Sequence, residues 1–151
     1  MVAVFDRADS VDFLLRNTAT LGSRLGPILF QLPPNMKKDT PRLRGFLGLL
    51  PPDRKFSIEF RHESWFEDDV FSALREHDVA LCLAEQDDFK CPVHATASWG
   101  YLRLHRPDYT DRALGEWAKC VSGQTWSEAY VFFKHDEEAG GGSGPSAVSA
   151  F

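Results

Sequence analysis

Apolar residues recur along this chain with two periods, and the switching between them lays out the expected elements. Phe56, Ile58 and Phe60 alternate with Ser57, Glu59 and Arg61, the period-two mark of a strand with one apolar and one polar face. A face that ends in a carboxylate and a guanidinium cannot pack on hydrocarbon, because an unpaired buried charge is heavily penalised, so it must meet partners, ligand or water. Upstream, Val11, Leu14, Leu15, Leu21 and Leu25 follow helical spacing from a cap at Asp9 or Ser10 to a stop at Gly26-Pro27. Residues 28–32 form a short apolar run carrying Gln31 and halted by Pro33-Pro34, which reads as a strand. Thr40-Pro41 opens the next helix in a cap-then-proline arrangement, with Leu43, Phe46, Leu47 and Leu50 leading to Pro51-Pro52.

Beyond the central strand, a helix from Glu67 carries Val70, Phe71 and Leu74 on one face and ends at His77-Asp78. Residues 79–83 are almost wholly apolar, as expected of a strand covered on both faces. The acidic run from Glu85 ends it, and the polar stretch 84–98, broken at Cys91-Pro92, reads mostly as loop. Residues 99–104 form another strand, with Tyr101, Arg103 and His105 on one face and Gly100, Leu102 and Leu104 on the other. A helix over 111–121 follows, then a strand over 129–133, a glycine-rich loop, and the opening of a last helix over 145–151. Five strands with helices between most of them argue for right-handed βαβ units and a parallel sheet, either an α/β barrel or a doubly wound sheet.

With 151 residues, 43% of them hydrophobic, the chain suits a single domain over 1–151. A net charge of −5 and a pI near 5.5 disfavour wholesale coating of nucleic acid, although a local basic site can survive in an acidic whole. Cys82, Cys91 and Cys120 show no paired spacing, so neither a disulfide framework nor a zinc knuckle is indicated and a reducing cytoplasm is the expected location. No apolar run approaches the length that spans a bilayer, so no membrane association is expected.

Polar groups gather where four of the strands finish: Gln31, Glu59 with Arg61, Arg103 with His105, and Lys134 with His135. In a (β/α)₈ barrel that rim is where active sites are built, which favours the barrel. Four ordered blocks also carry a family resemblance: Phe30-Gln31-Leu32-Pro33-Pro34, Glu59-Phe60-Arg61-His62 with Ser64-Trp65-Phe66, Tyr101-Leu102-Arg103-Leu104-His105, and Tyr130-Val131-Phe132-Phe133-Lys134-His135. They resemble the domain of unknown function 72, or YecE-like, family. The resemblance implies a TIM-type barrel, distantly similar in shape to the endonuclease IV and xylose isomerase barrels. It further implies that this chain is the C-terminal part, an incomplete barrel of about five parallel strands (strands four to eight) with intervening helices. Bare edges would then remain at both ends of the sheet, inviting self-association. Many relatives have Asn-Asn in place of Lys134-His135, and glycine is frequent in place of Arg106.

The rim residues admit specific chemistry. Arg61, Arg103 and Lys134 would hold an anionic group while Glu59 and His105 handle protons, with Gln31, His62 and His135 as further ligand contacts. That set suits a phosphate-bearing, sugar or nucleic-acid ligand. The alternative for Glu59 and Arg61 is a buried ion pair closing the barrel interior. His62, His105 and His135 with Glu59, Glu85 and Asp136 could ligate a divalent metal, but no HxH or HExxH spacing supports it, and ordinary rim histidines are the competing reading, so no metal is assigned. Trp65 and Trp99 could stack on a base or sugar, or simply pack the loops. Cys82 reads as an inert core thiol. A rival of another class is a truncated, non-catalytic module that binds nucleic acid or protein.

Overall fold

The period-two runs fold into a sheet whose five main strands all run the same way. In the computed structural model of the protein, residues 8–86, 89–106, 108–133 and 147–148 are described. The elements in order are α1 (Ala8–Ala19), β1 (Ile28–Gln31), α2 (Thr40–Leu47), β2 (Phe56–Glu59), α3 (Asp68–Glu76), β3 (Ala80–Gln86), β4 (Phe89–Lys90), β5 (Gly100–Leu104), α4 (Asp111–Ser122), β6 (Ala129–Phe133) and β7 (Ala147–Val148). Strands β1, β2, β3, β5 and β6 lie side by side in that order and are parallel throughout, forming a half-barrel. Parallel neighbours need crossovers, and α2, α3 and α4 supply three of them. Among the described residues the crossover from β3 to β5 contains no helix. There the Thr96 hydroxyl accepts from the Leu81 N–H at 2.7 Å and donates to the Val79 carbonyl at 2.8 Å, holding the connection against β3.

Alternation along each strand separates two cores. On the outer face, Ile58, Leu83, Leu102 and Leu104 pack under the helices against Leu47, Phe71, Leu74 and Trp117, all of them buried. On the inner face, Ala80, Cys82 and Ala84 of β3 lie beside Trp99 and Tyr101, with Tyr130 and Phe132 packed on them. Ion pairs Arg44–Glu76 at 2.5 Å and Lys38–Glu67 at 2.5 Å link α2 and its approach to α3. Their exposure limits each to about 1 kcal/mol or less, so hydrocarbon contact between the layers sets the arrangement.

Several boundaries differ from the sequence reading, each for a local reason. The first helix ends at Ala19 and not at Leu25, because Gly22 takes a positive φ of 52° and starts a 3₁₀ turn over Gly22–Arg24. The α2 cap is Asp39, one residue before Thr40, its Oδ1 accepting from the Arg42 N–H at 3.0 Å. Strand β3 runs on through Glu85 to Gln86 and folds back on β4, within a stretch expected to be loop. Glu85 is tolerated there because its Oε2 accepts from the Trp117 indole N–H at 2.9 Å. Residues 147–148 were expected in a helix and instead form β7, antiparallel to β6 through Val131 with Val148 and Phe132 with Ala147. A strand edge offers unpaired N–H and C=O groups that a returning segment can satisfy, so the β6 edge is not wholly bare as expected. Among the described residues, β1 is paired on one side alone. The remainder of the last expected helix, 145–146 and 149–151, lies outside the described residues, as do Lys134 and His135.

Two glycine substitutions should move stability in opposite directions. A Cβ on Gly100 would lie 2.4 Å from the Trp126 ring, so Gly100→Ala is expected to cost about 1–3 kcal/mol through overpacking. Nothing lies within 4 Å of a Cβ on Gly115 inside α4, so Gly115→Ala should stabilise by up to about 1 kcal/mol. Equilibrium urea unfolding of the two variants checks both signs.

Candidate functional site

Where the parallel strands finish, their inner-face residues meet around one carboxylate. Glu59, the last residue of β2, has 0% exposure. Its register partner on β1 is Gln31, whose Nε2 donates to Glu59 Oε1 at 2.8 Å. Arg103 Nη1 of β5 donates to Glu59 Oε2, and the Cys82 thiol of β3 lies 3.9 Å from the same oxygen. Both carboxylate oxygens are therefore engaged by side chains of the sheet itself.

The Arg103–Glu59 contact spans two strand intervals. Neighbouring strands are about 4.7–4.9 Å apart, so the guanidinium must cross nearly 10 Å. It can do so because Cys82 and Ala84, the β3 residues at the level of the crossing, are small. A large residue there would fill the path. The crossing leaves the Arg103 side chain with 27% exposure, open to the rim.

The electrostatics follow from this packing. Burial lowers the Arg103 guanidinium, but the charge of Glu59 and the hydrogen bond to it outweigh that and leave its pKa raised. Burial pushes the Cys82 thiol well up, and the Glu59 carboxylate beside it adds in the same direction. The thiol therefore stays protonated near neutrality, which makes it a poor nucleophile. Tyr101, two residues before Arg103 on the same face, is pushed up to about 12, mainly by burial, and remains a hydroxyl donor.

The remaining expected residues take varied positions. Arg61 is half-buried just after β2 and forms no ion pair with Glu59; the buried pair weighed for those two residues joins Glu59 to Arg103 instead. His62 Nδ1 accepts from the Ser64 N–H at 3.1 Å and caps the 3₁₀ turn Glu63–Trp65, while Ser64 Oγ accepts from the Lys38 N–H at 2.9 Å. Trp65 is 1% exposed, stacks on Phe60 with ring centroids 4.7 Å apart, and donates its indole N–H to the Met36 carbonyl at 2.7 Å. Its packing role leaves no open face for a base or sugar, and Trp99, edge-on to Tyr101 and Tyr130, is likewise buried. His105 follows β5 directly, half-buried, its N–H bonded to the Glu85 carbonyl at 2.9 Å. Above it, Arg106 lies 3.8 Å from Glu85 Oε1 and 5.7 Å from the centre of the Tyr109 ring. Lys134, His135 and Asp136 lie outside the described residues. Among the described residues no three His, Cys, Asp or Glu side chains come together as a metal-ligand set.

Of the expected rim residues, the structure thus joins Gln31, Glu59 and Arg103 by direct contact. Sequence reasoning placed Tyr101 on the Arg103 face but missed Cys82 as a neighbour of that cluster. The signal was present in the alternation of small residues with Leu81 and Leu83 along β3. Removing the partner of a fully buried carboxylate costs about 3–5 kcal/mol, so Arg103→Ala is expected to lower stability by that amount in urea unfolding. A loss well under 1 kcal/mol would show that Glu59 does not depend on it.

Comparison with known proteins agrees with this architecture. The family described as "Protein of unknown function DUF72" matches residues 3–147. A DUF72 family protein of Thermotoga maritima has a similar crystal structure, with a TM-score of 0.73 and 22% identity, covering 83% of this chain and 58% of that one. A DUF72 family protein of Enterococcus faecalis gives a TM-score of 0.71 at 16% identity, covering 87% of this chain and 63% of that one. The chain thus spans roughly three fifths of the length of these solved relatives. No curated protein matches it. Since the family match covers nearly the whole sequence, the chain belongs to the DUF72 family.

Proposed function

We propose that this protein binds a phosphate-bearing ligand, of the sugar-phosphate or nucleic-acid class, at the C-terminal rim of its parallel strands. In this reading its five parallel strands are strands four to eight of a TIM-type barrel, residues 1–151 are one domain of it, and the protein works in the cytoplasm. The observation that carries the reading is the Gln31–Glu59–Arg103 cluster, built from three strand ends and including an arginine side chain that is partly exposed on the face opposite the helices. Arg103 and Arg61, with Lys134 from the segment after β6, would hold the anionic group. His105 would move a proton to or from the ligand. Glu59 could act as a base only after Gln31 or Arg103 released one of its oxygens. Among the described residues no helix is long and apolar enough to cross a membrane.

A second reading, a non-catalytic module for nucleic acid or protein, draws on the β1 edge. That edge carries no strand partner among the described residues, and such an edge also favours self-association. The two readings separate on the ligand. Inorganic phosphate, ribose 5-phosphate and a mononucleotide should each raise the melting temperature in the first reading. Saturation at a hundredfold above Kd is worth about 2.7 kcal/mol. The affinity should fall with added salt and with Arg61→Ala, as expected of a cationic site at a surface. No stabilisation by any of the three would contradict the first reading, and strand-edge pairing visible as a concentration-dependent dimer would support the second.

A further inference from the structure

We infer that Glu59 is a positioning residue for Arg103, and that the anion site of the proposed function is made by the guanidinium that Glu59 aims. The inference rests on that reading and assigns the carboxylate a different task from proton transfer. Three features carry it. First, Glu59 has no exposed surface, so a ligand at the rim cannot reach it without displacing the sheet's own side chains. Second, its two oxygens are taken by donors from two other strands, Gln31 on β1 and Arg103 on β5, with the protonated Cys82 thiol beside the Arg103-bound oxygen. Third, Arg103 crosses β3 to reach it and still shows 27% of its side chain to solvent. An arginine anchored on one side by a buried carboxylate presents its remaining N–H groups in a fixed direction, and a planar fork held in place loses less rotamer freedom when it takes an oxyanion.

Gln31 completes the device. It fixes the second carboxylate oxygen from β1, so the carboxylate that accepts from Arg103 Nη1 is held by contacts from neighbouring strands on both sides. A freely rotating carboxylate would hold the charge of Arg103 but not its orientation. The ligand class that follows is a compact oxyanion group, phosphate above all, that accepts two hydrogen bonds from one guanidinium.

The test uses two readouts on the full chain. Side-chain nitrogen NMR of Arg103, assigned by its loss in Arg103→Lys, reports whether rotation about its guanidinium is restrained. Calorimetric titration with inorganic phosphate reports the site. In Glu59→Gln the charge is lost but the shape is kept, and the Arg103 signals are expected to lose their restraint while phosphate binds about tenfold more weakly. Coulomb's law alone gives the opposite sign, because deleting a negative charge near an anion tightens its binding. Phosphate bound as tightly or more tightly in Glu59→Gln, or an Arg103 restrained to the same degree, would overturn the inference. Should Glu59→Gln not fold, Gln31→Leu on the exposed side of the cluster is expected to shift both readouts in the same direction, and no shift there overturns it equally. If the Arg103 restraint is lost as expected but wild-type protein takes up no phosphate, the positioning role stands and the anion reading of the preceding subsection is what fails.

Discussion

A carboxylate with no exposed surface has to be met by donors from inside the molecule, and in this fold that requirement ties four strands together. Glu59 ends β2, takes an amide from β1 and a guanidinium from β5, and lies against a thiol on β3. Each of those groups sits on the inner face because strand side chains alternate, and each reaches the carboxylate because the strands are parallel and in register. A shift of one residue in β2 or β5 would turn Glu59 or Arg103 toward the helices and break the pair. The ion pair therefore acts as a check on register as well as a contact.

The two faces of the half-barrel divide the work. Hydrocarbon beneath α2, α3 and α4 supplies the non-directional part of the stabilisation, with large aliphatic and aromatic side chains fully buried. The inner face is built differently: small residues on β3, flanking aromatics at the level of Trp99 and Tyr101, Ser57 bonded to the Ala80 carbonyl, and the Gln31–Glu59–Arg103 cluster where the strands end. Lys55 and Glu128 pair at the N-terminal end of the strands, while at the C-terminal rim Arg103 and Arg106 retain contact with solvent. The helix layer also touches this rim, since Trp117 of α4 donates to Glu85 at the end of β3.

Much of this was legible in the residues before any coordinates. The alternation at 56–60 and 99–104, the helical spacing at 67–76 and 111–121, and the clustering of Gln31, Glu59 and Arg103 at strand ends all carry over into the structure. What was not legible depended on distance in sequence. Arg61 is two residues from Glu59 and shares its alternation, so it looked like the natural partner, whereas Arg103 is 44 residues away and reaches it only because β3 is narrow on that face. Trp65 stood beside polar residues and suggested stacking, but its indole N–H is used by the Met36 carbonyl, a contact 29 residues away in sequence. The pairing of 147–148 with β6 likewise follows from an edge that no local pattern near Pro145 announces.

The arrangement of the sheet requires Glu59 and Arg103 to be energetically coupled across the intervening strand. A double-mutant cycle with Glu59→Gln and Arg103→Met, each variant and the pair measured by equilibrium urea unfolding, tests it most directly. The expected coupling is at least about 1 kcal/mol, within the range seen for residues in one hydrogen-bonded network. Free-energy changes that add to within about 0.3 kcal/mol, as for sites that do not touch, would contradict it.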